Sequence, residues 1–170
     1  MTLNIKEFSD KAFKDTRGLY WTSWKREMSN LNFKHDKFSL SRKNVLRGLH
    51  GDNKTWKLVS CVYGKVFFVI INYDRTSKNF LNKKTTTLSH LKVRQILIPP
   101  KYLNGFLCLS DECVFHYKLS YSGNYADVRD QFSVKWNDPR LNIKWPVKNP
   151  ILSKRDRASN FVKKDRKINL

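Results

Sequence analysis

The chain has 170 residues, 40% hydrophobic and 14% aromatic, the size of one domain and too rich in core-forming side chains for a disordered protein. Lysine and arginine number 34 against 14 acidic residues, a net charge of +20 that attracts polyanions; the basic residues are scattered and mixed with Asn, and specific nucleic-acid binding is not expected. No apolar run reaches the length of a membrane span, residues 1–11 are too polar for a secretory signal, and Cys61, Cys108 and Cys113 read as buried reduced thiols, so a cytoplasmic protein is expected.

A weak strand over residues 2–8 opens the chain. Asp15-Thr-Arg-Gly-Leu-Tyr-Trp-Thr22 follows, with Gly18 suited to a turn. Residues 24–31 fit one or two helical turns, and 33–41 alternate as a strand in which His35 reads as a surface histidine. The stretch 45–72 concentrates the chemistry. Arg47, His50 and Lys57 lie in a strand-like pattern punctuated by Gly48, Gly51 and Gly64. Side chains alternate along a strand, so positions 47 and 50 face opposite ways unless Gly48 or Gly51 marks a bulge. The polar trio fits either a lined cavity or a solvent-facing edge strand.

Beyond a loop over 73–84, strands are expected at 85–90 and 91–98, the second ending at Pro99-Pro100. Residues 103–109 and 113–119 read as a hairpin around Ser110-Asp111. A loop over 120–131 leads to a last strand at 132–136, and the basic tail beyond Arg157 reads as loosely held. About ten short strands at this spacing, with little helix, mean an all-β sandwich or barrel.

Six blocks in order carry a resemblance: R-G-L-H (47–50), W-K-L-V (56–59), G-K-V-F-F-V (64–69), I-P-P-K-Y-L-N-G-F (98–106), F-H-Y-K (115–118) and W-N-D-P-R-L-N-I-K-W-P (136–146), with P-I-L-S-K-R-D-R (150–157) after them. The chain resembles the dTDP-4-dehydrorhamnose 3,5-epimerase family, the RmlC-like cupins. The resemblance implies a cupin-type jelly-roll β-barrel or sandwich with short flanking helices over residues 1–157. It also implies a homodimer with N-terminal strands at its interface, followed by a basic tail at 158–170.

The implied reaction is cofactor-independent inversion of C3, C5 or both in a nucleotide-diphosphate 4-keto-6-deoxy sugar, for surface polysaccharide synthesis. Such chemistry needs a base near neutral pKa, a group facing the enolate oxygen and an acid on the other side of the ring. By resemblance, His50 is the base, Asp156 its carboxylate partner, Lys57 the enolate holder and Tyr117 the acid. Arg47 contacts the diphosphate, and Arg17 reaches it from the neighbouring subunit. Tyr20 stands where the family usually has Phe, and Asn104 where it usually has His. Thr22, His35, Lys37 and Gly51-Asp52 are further departures around the pocket, compatible with a heptose or with inversion at one carbon. No metal is expected, because Cys108, Cys113 and His116 lack a second ligand pair. A 3,4-ketoisomerase on the same scaffold and a non-catalytic cupin binding polyanions are the alternatives.

Overall fold

The run Val66-Phe-Phe-Val-Ile-Ile71 is apolar on both faces, the pattern of a strand buried on both sides. Val66, Phe68 and Ile70 point into one apolar cluster, and Val69 and Ile71 into another. The chain therefore builds three layers around this strand. In the computed structural model, which describes residues 3–9 and 11–162, the elements follow in order. They are β1 (Lys6–Phe8), β2 (Phe13–Asp15), β3 (Gly18–Tyr20), β4 (His35–Arg42), β5 (Leu46–Gly51), β6 (Trp56–Tyr63), β7 (Lys65–Asn72), β8 (Lys83–Ser89), β9 (Gln95–Ile98), β10 (Tyr102–Cys108), β11 (Glu112–Ser120), β12 (Phe132–Ser133) and one helix, α1 (Lys154–Ala158). Residue 2 of the expected first strand, and the tail from 163 onward, lie outside the described residues.

Two five-stranded sheets form the sandwich. One has the order β1-β9-β6-β11-β4, the other β12-β5-β10-β7-β8, and β2-β3 is a separate two-stranded hairpin. Between the sheets Val59, Ile96, Ile98 and Phe115 pack against Phe68, Ile70 and Phe106. On the outer face of the second sheet, Leu49, Val69, Ile71 and Leu103 are covered by Val134, Leu141 and Val162, with Trp145 at the margin. The packed body thus runs on to Val162, past the edge expected at residue 157.

Several expectations are corrected in detail. Strands β10 and β11 are not a hairpin: β10 pairs with β5 and β7, and β11 with β4 and β6. The rings explain why. Phe106 stacks on Phe115 at 4.4 Å and 17°, so the two strands meet face to face across the core. The helical turn expected at 24–31 is a 3-10 turn at Arg26–Met28. Strands expected over 91–98 and 132–136 shrink to Gln95–Ile98 and Phe132–Ser133.

The glycine question at 47–50 is resolved by a bulge. Opposite β5, Asn104 pairs with His50 and Phe106 with Arg47, so two steps on β10 meet three on β5. Asn104 and Phe106 share a face of β10, and the bulge therefore turns both Arg47 and His50 toward the sandwich interior. Gly48 supplies the geometry with φ +124°, and a Cβ there would sit 2.7 Å from Gly105 Cα and 2.8 Å from the Asn104 carbonyl oxygen. Gly48→Ala should therefore cost roughly 1–3 kcal/mol of stability, read as a lower urea midpoint. Phe106→Ala, which empties the centre of the core, should cost about 3–5 kcal/mol in the same measurement.

Candidate active site

Along β11 the inward residues read Cys113, Phe115, Tyr117, Leu119, and along β6 they read Cys61, Val59, Lys57. The interior is apolar at one end and polar at the other. At the polar end a cavity is lined by Lys37, Arg47, His50, Lys57, Asn104, Tyr117, Leu119, Tyr125 and Gln131. Five expected site residues share this wall. Tyr117 and Lys57 come from the first sheet; His50, Arg47 and Asn104 come from the second. Whatever enters the cavity is approached from both sides.

The distant partner expected for His50 is in place. Asp156 Oδ1 lies 2.7 Å from His50 Nε2, a close ion-pair contact that is bent rather than linear. Asp156 is buried at 3% exposure on α1, whose start Ser153 caps. Ser153 Oγ accepts from the Asp156 amide at 3.0 Å and donates to Asp156 Oδ2 at 2.8 Å. Burial pushes the Asp156 carboxyl upward. The close contact and charge of His50, the Ser153 hydroxyl and the Arg155 charge outweigh it and hold the carboxyl below the usual range. Asp156 is thus a carboxylate when His50 needs one.

Lys57 is 8% exposed and stands 3.5 Å from Asp52 Oδ2, an ion pair at a length too great for a strong hydrogen bond. Burial lowers its pKa, the Asp52 carboxylate raises it, Arg155 lowers it further, and the net shift is downward. Asp52 is itself fixed by the amides of Lys54 and Thr55, which donate to Oδ1 at 3.0 and 2.7 Å. Burial raises the Tyr117 phenol pKa, only partly opposed by the Arg47 charge, so Tyr117 keeps its proton far above neutral pH. Arg47 leans on neutral acceptors, with Nε donating to Ser41 Oγ at 2.9 Å and Nη2 to the Leu40 carbonyl at 3.2 Å. Its positive charge remains available to a ligand. Asn104 lines the cavity but also donates from Nδ2 to the His50 carbonyl at 3.1 Å, bracing the bulge.

The sequence marks Lys37 and Asp52 only as departures around the pocket and gives no role to Tyr125, Gln131, Arg155 or Ser133. Lys37 is the cross-strand partner of Tyr117, and its Nζ lies 4.0 Å from the centre of the Tyr125 ring. Strand alternation would have found it once the β4–β11 register was known. Tyr125 and Gln131 come from a loop without periodicity, and Asp52 from the turn after the bulge, so neither leaves a pattern. Arg155 and Ser133, both near His50, were hidden in the same way.

Arg17 and Tyr20 are not gathered with the others. Both lie on the detached hairpin, with the Arg17 side chain 89% exposed and bonded to Asp15, and Tyr20 73% exposed. Within one chain they do not line the cavity. His35 is half-buried, with Nδ1 3.0 Å from the Tyr121 hydroxyl and an edge-on contact to Tyr125. His116 engages Asp36 at 2.7 Å, away from the Cys108 thiol, which donates to the Ser41 and Ser110 carbonyls.

Comparison with known proteins agrees with this fold. A family profile described as dTDP-4-dehydrorhamnose 3,5-epimerase matches residues 3–164. The chain is 36% identical over 168 residues to the dTDP-4-dehydrorhamnose 3,5-epimerase of Shigella flexneri, covering 93% of this chain and 91% of that one. Among solved structures, the dTDP-4-dehydrorhamnose 3,5-epimerase of Bacillus anthracis, with TDP and PPi bound, superposes with a TM-score of 0.87 at 28% identity over 94% of each chain. The epimerase of Legionella pneumophila, in complex with dTDP-4-keto-L-rhamnose, gives 0.84 at 33% identity over 92% of this chain and 87% of that one. With a family profile matched over residues 3–164 and relatives above 30% identity along nearly the whole length, the chain belongs to the dTDP-4-dehydrorhamnose 3,5-epimerase family.

Proposed function

We propose that the protein is a cofactor-independent epimerase acting on a nucleotide-diphosphate 4-keto-6-deoxy sugar. The observation that carries this reading is the arrangement of His50 and Tyr117, which enter one cavity from opposite sheets. A sugar ring between them has a base on one side and an acid on the other. His50 takes the proton from the carbon beside the ketone, and the Asp156 carboxylate stabilises the imidazolium that forms. The electron pair moves onto the ketone oxygen, where the Lys57 ammonium faces the enolate in a poorly solvated site. Tyr117 delivers a proton to the same carbon from the other side, and configuration inverts. Proton exchange with solvent then resets the imidazolium and the phenolate.

Arg47 and Lys37 give the cavity two cations that have no carboxylate partner among the described residues, which suits a diphosphate. Arg17 and Tyr20 act on a second copy of the chain. The hairpin that bears them pairs with neither sheet of its own chain and exposes Phe13 and Tyr20, each 73% accessible. Strand β4 is also a sheet edge, with Phe38 and Leu40 exposed. A homodimer covers such surfaces and brings Arg17 to the neighbour's diphosphate. A cytoplasmic setting fits three free, buried cysteines. No helix among the described residues is long and apolar enough to cross a membrane.

Incubation with a dTDP-4-keto-6-deoxy sugar in D₂O should place deuterium at C3, C5 or both. His50→Asn and Tyr117→Phe should each slow this by about 10²–10⁴-fold while dTDP still binds; failure of wild type to exchange with any of several such sugars rejects the reading.

The Lys57 ammonium makes a separate prediction. Its pKa is depressed, so the charged form is lost as pH rises through a value below the ordinary lysine range, and the alkaline limb of kcat should sit correspondingly low. Asp52→Asn removes the charge that supports the ammonium and should move that limb further down in pH.

The shared site is tested by mixing variants. Arg17→Ala and His50→Asn homodimers should each be impaired, whereas dimers re-formed from both should regain activity, because one of their two sites then carries no substitution. No recovery on mixing assigns Arg17 to its own chain's cavity or to none.

A further inference from the structure

Strand pairing sets Asn104 directly opposite His50, on the inner face that Phe106 shares. The hydrogen-bond chemistry of the amide fixes which way round it sits. The atom 3.1 Å from the His50 carbonyl oxygen is Nδ2, because a carbonyl only accepts and the amide must offer it a hydrogen. Oδ1 is therefore the other end. It has no hydrogen-bond partner among the described residues, and it is not sealed off from solvent. Asn104 is 5% exposed and lines the cavity, so Oδ1 opens onto that cavity.

The rest of the wall offers mostly hydrogens. Lys37, Arg47 and Lys57 donate as cations, and the Tyr117 phenol keeps its proton. Gln131 is the other amide in the wall, and both its ends are used. Its Oε1 accepts from Arg155 at 3.3 and 3.2 Å, and its Nε2 donates to the Ala126 carbonyl at 3.1 Å. Among the described residues of the wall, Asn104 Oδ1 is the amide oxygen still open to a donor.

A 4-keto-6-deoxy sugar has two unlike edges beside its ketone. C3 carries a hydroxyl, which donates. C5 carries the C6 methyl group and the ring oxygen, which do not. With the ketone oxygen at Lys57, the ring presents one edge or the other to His50 and Asn104. The C5 edge sets a methyl group or a lone pair against Oδ1 and leaves a desolvated acceptor unpaired, which is costly. The C3 edge gives that oxygen a hydrogen.

We propose that Asn104 is a specificity-determining residue: its Oδ1 accepts a hydrogen bond from the C3 hydroxyl and so places C3, rather than C5, as the carbon that His50 deprotonates first. The inference rests on the epimerase reading for the chemistry and on the Asn104 amide for the choice of carbon. The C3 proton goes to His50, the electrons of the C3–H bond form the C3–C4 double bond, and the ketone oxygen takes the negative charge at Lys57. Tyr117 then returns a proton to C3 from the first sheet.

The test is proton NMR of a dTDP-4-keto-6-deoxy sugar incubated with the full-length protein in D₂O, with loss of H3 and of H5 followed separately. H3 should exchange faster than H5 in wild type. Asn104→Ala should lower the ratio of the two rates by about 5–10-fold, the worth of one hydrogen bond. A looser bulge behind His50 slows both carbons alike, so the ratio reports the Oδ1 contact and not the brace on the backbone. On a 3-deoxy sugar, which has no hydroxyl to give, the same substitution should not move the ratio. H5 exchanging first in wild type, or a ratio unmoved by Asn104→Ala on the hydroxylated sugar, overturns the proposal. Exchange at neither carbon rejects the epimerase reading itself, and the choice of carbon with it.

Discussion

A carboxylate buried beside an imidazole imposes the strictest condition on this structure. Asp156 is 3% exposed, and an unpaired charge at such depth costs several kcal/mol. It is tolerated because His50 lies against one carboxylate oxygen and the Ser153 hydroxyl donates to the other. For α1 to reach His50, the segment after β12 must lie across the outer face of the second sheet. Val134, Leu141 and Val162 do so by filling the apolar surface that Leu49, Val69, Ile71 and Leu103 leave open. Asp138 closes the wrap, accepting from the Val162 amide at 2.6 Å while it holds Arg140. Catalytic geometry and the packing of the C-terminal third are one problem with one solution.

The sandwich contributes what a bundle or an open sheet could not. Inversion needs a base and an acid on opposite sides of a ring, and two facing sheets supply opposite sides by construction. The interior changes from phenylalanine to charged residues along the same strands, so the apolar half provides rigidity and the polar half provides chemistry. Phe115 touches the Tyr117 ring edge-on at 5.0 Å, which holds the phenol by packing where no hydrogen bond is needed. Burial then keeps that phenol protonated and the Lys57 ammonium poorly solvated, so one cavity favours both a neutral acid and a strong electrostatic partner for an enolate.

The net charge of +20 also takes on meaning at this level. Several of the few carboxylates are consumed internally: Glu7 by Lys84 and Arg94, Asp36 by His116 and Lys118, Asp52 by Lys57, Asp138 by Arg140 and Asp156 by His50. Arg47 and Lys37 at the cavity are left with neutral or aromatic partners. An anionic ligand therefore meets cations whose attraction is not already spent on a neighbouring carboxylate.

Much of this was legible without coordinates. Short strands at regular spacing with little helix specified an all-β sandwich, because period-two burial is a local property of the chain. The order of blocks from R-G-L-H to S-K-R-D-R announced the family. Beyond the His50–Asp156 pair that the resemblance implied, the sequence left open what depends on pairing between distant segments. The glycine at 48 could have been a turn or a bulge, and only the three-against-two register with β10 turned Arg47 and His50 the same way. Strands β10 and β11 looked like a hairpin because their connection is short, yet the stacking of Phe106 on Phe115 placed them in different sheets. The contacts of Ser133 with His50, of Arg155 with Ser133 and of Asp52 with Lys57 left no periodic pattern to betray them. A hydrogen bond across 22 or 83 residues leaves no periodicity, and tertiary structure alone decides which side chains meet.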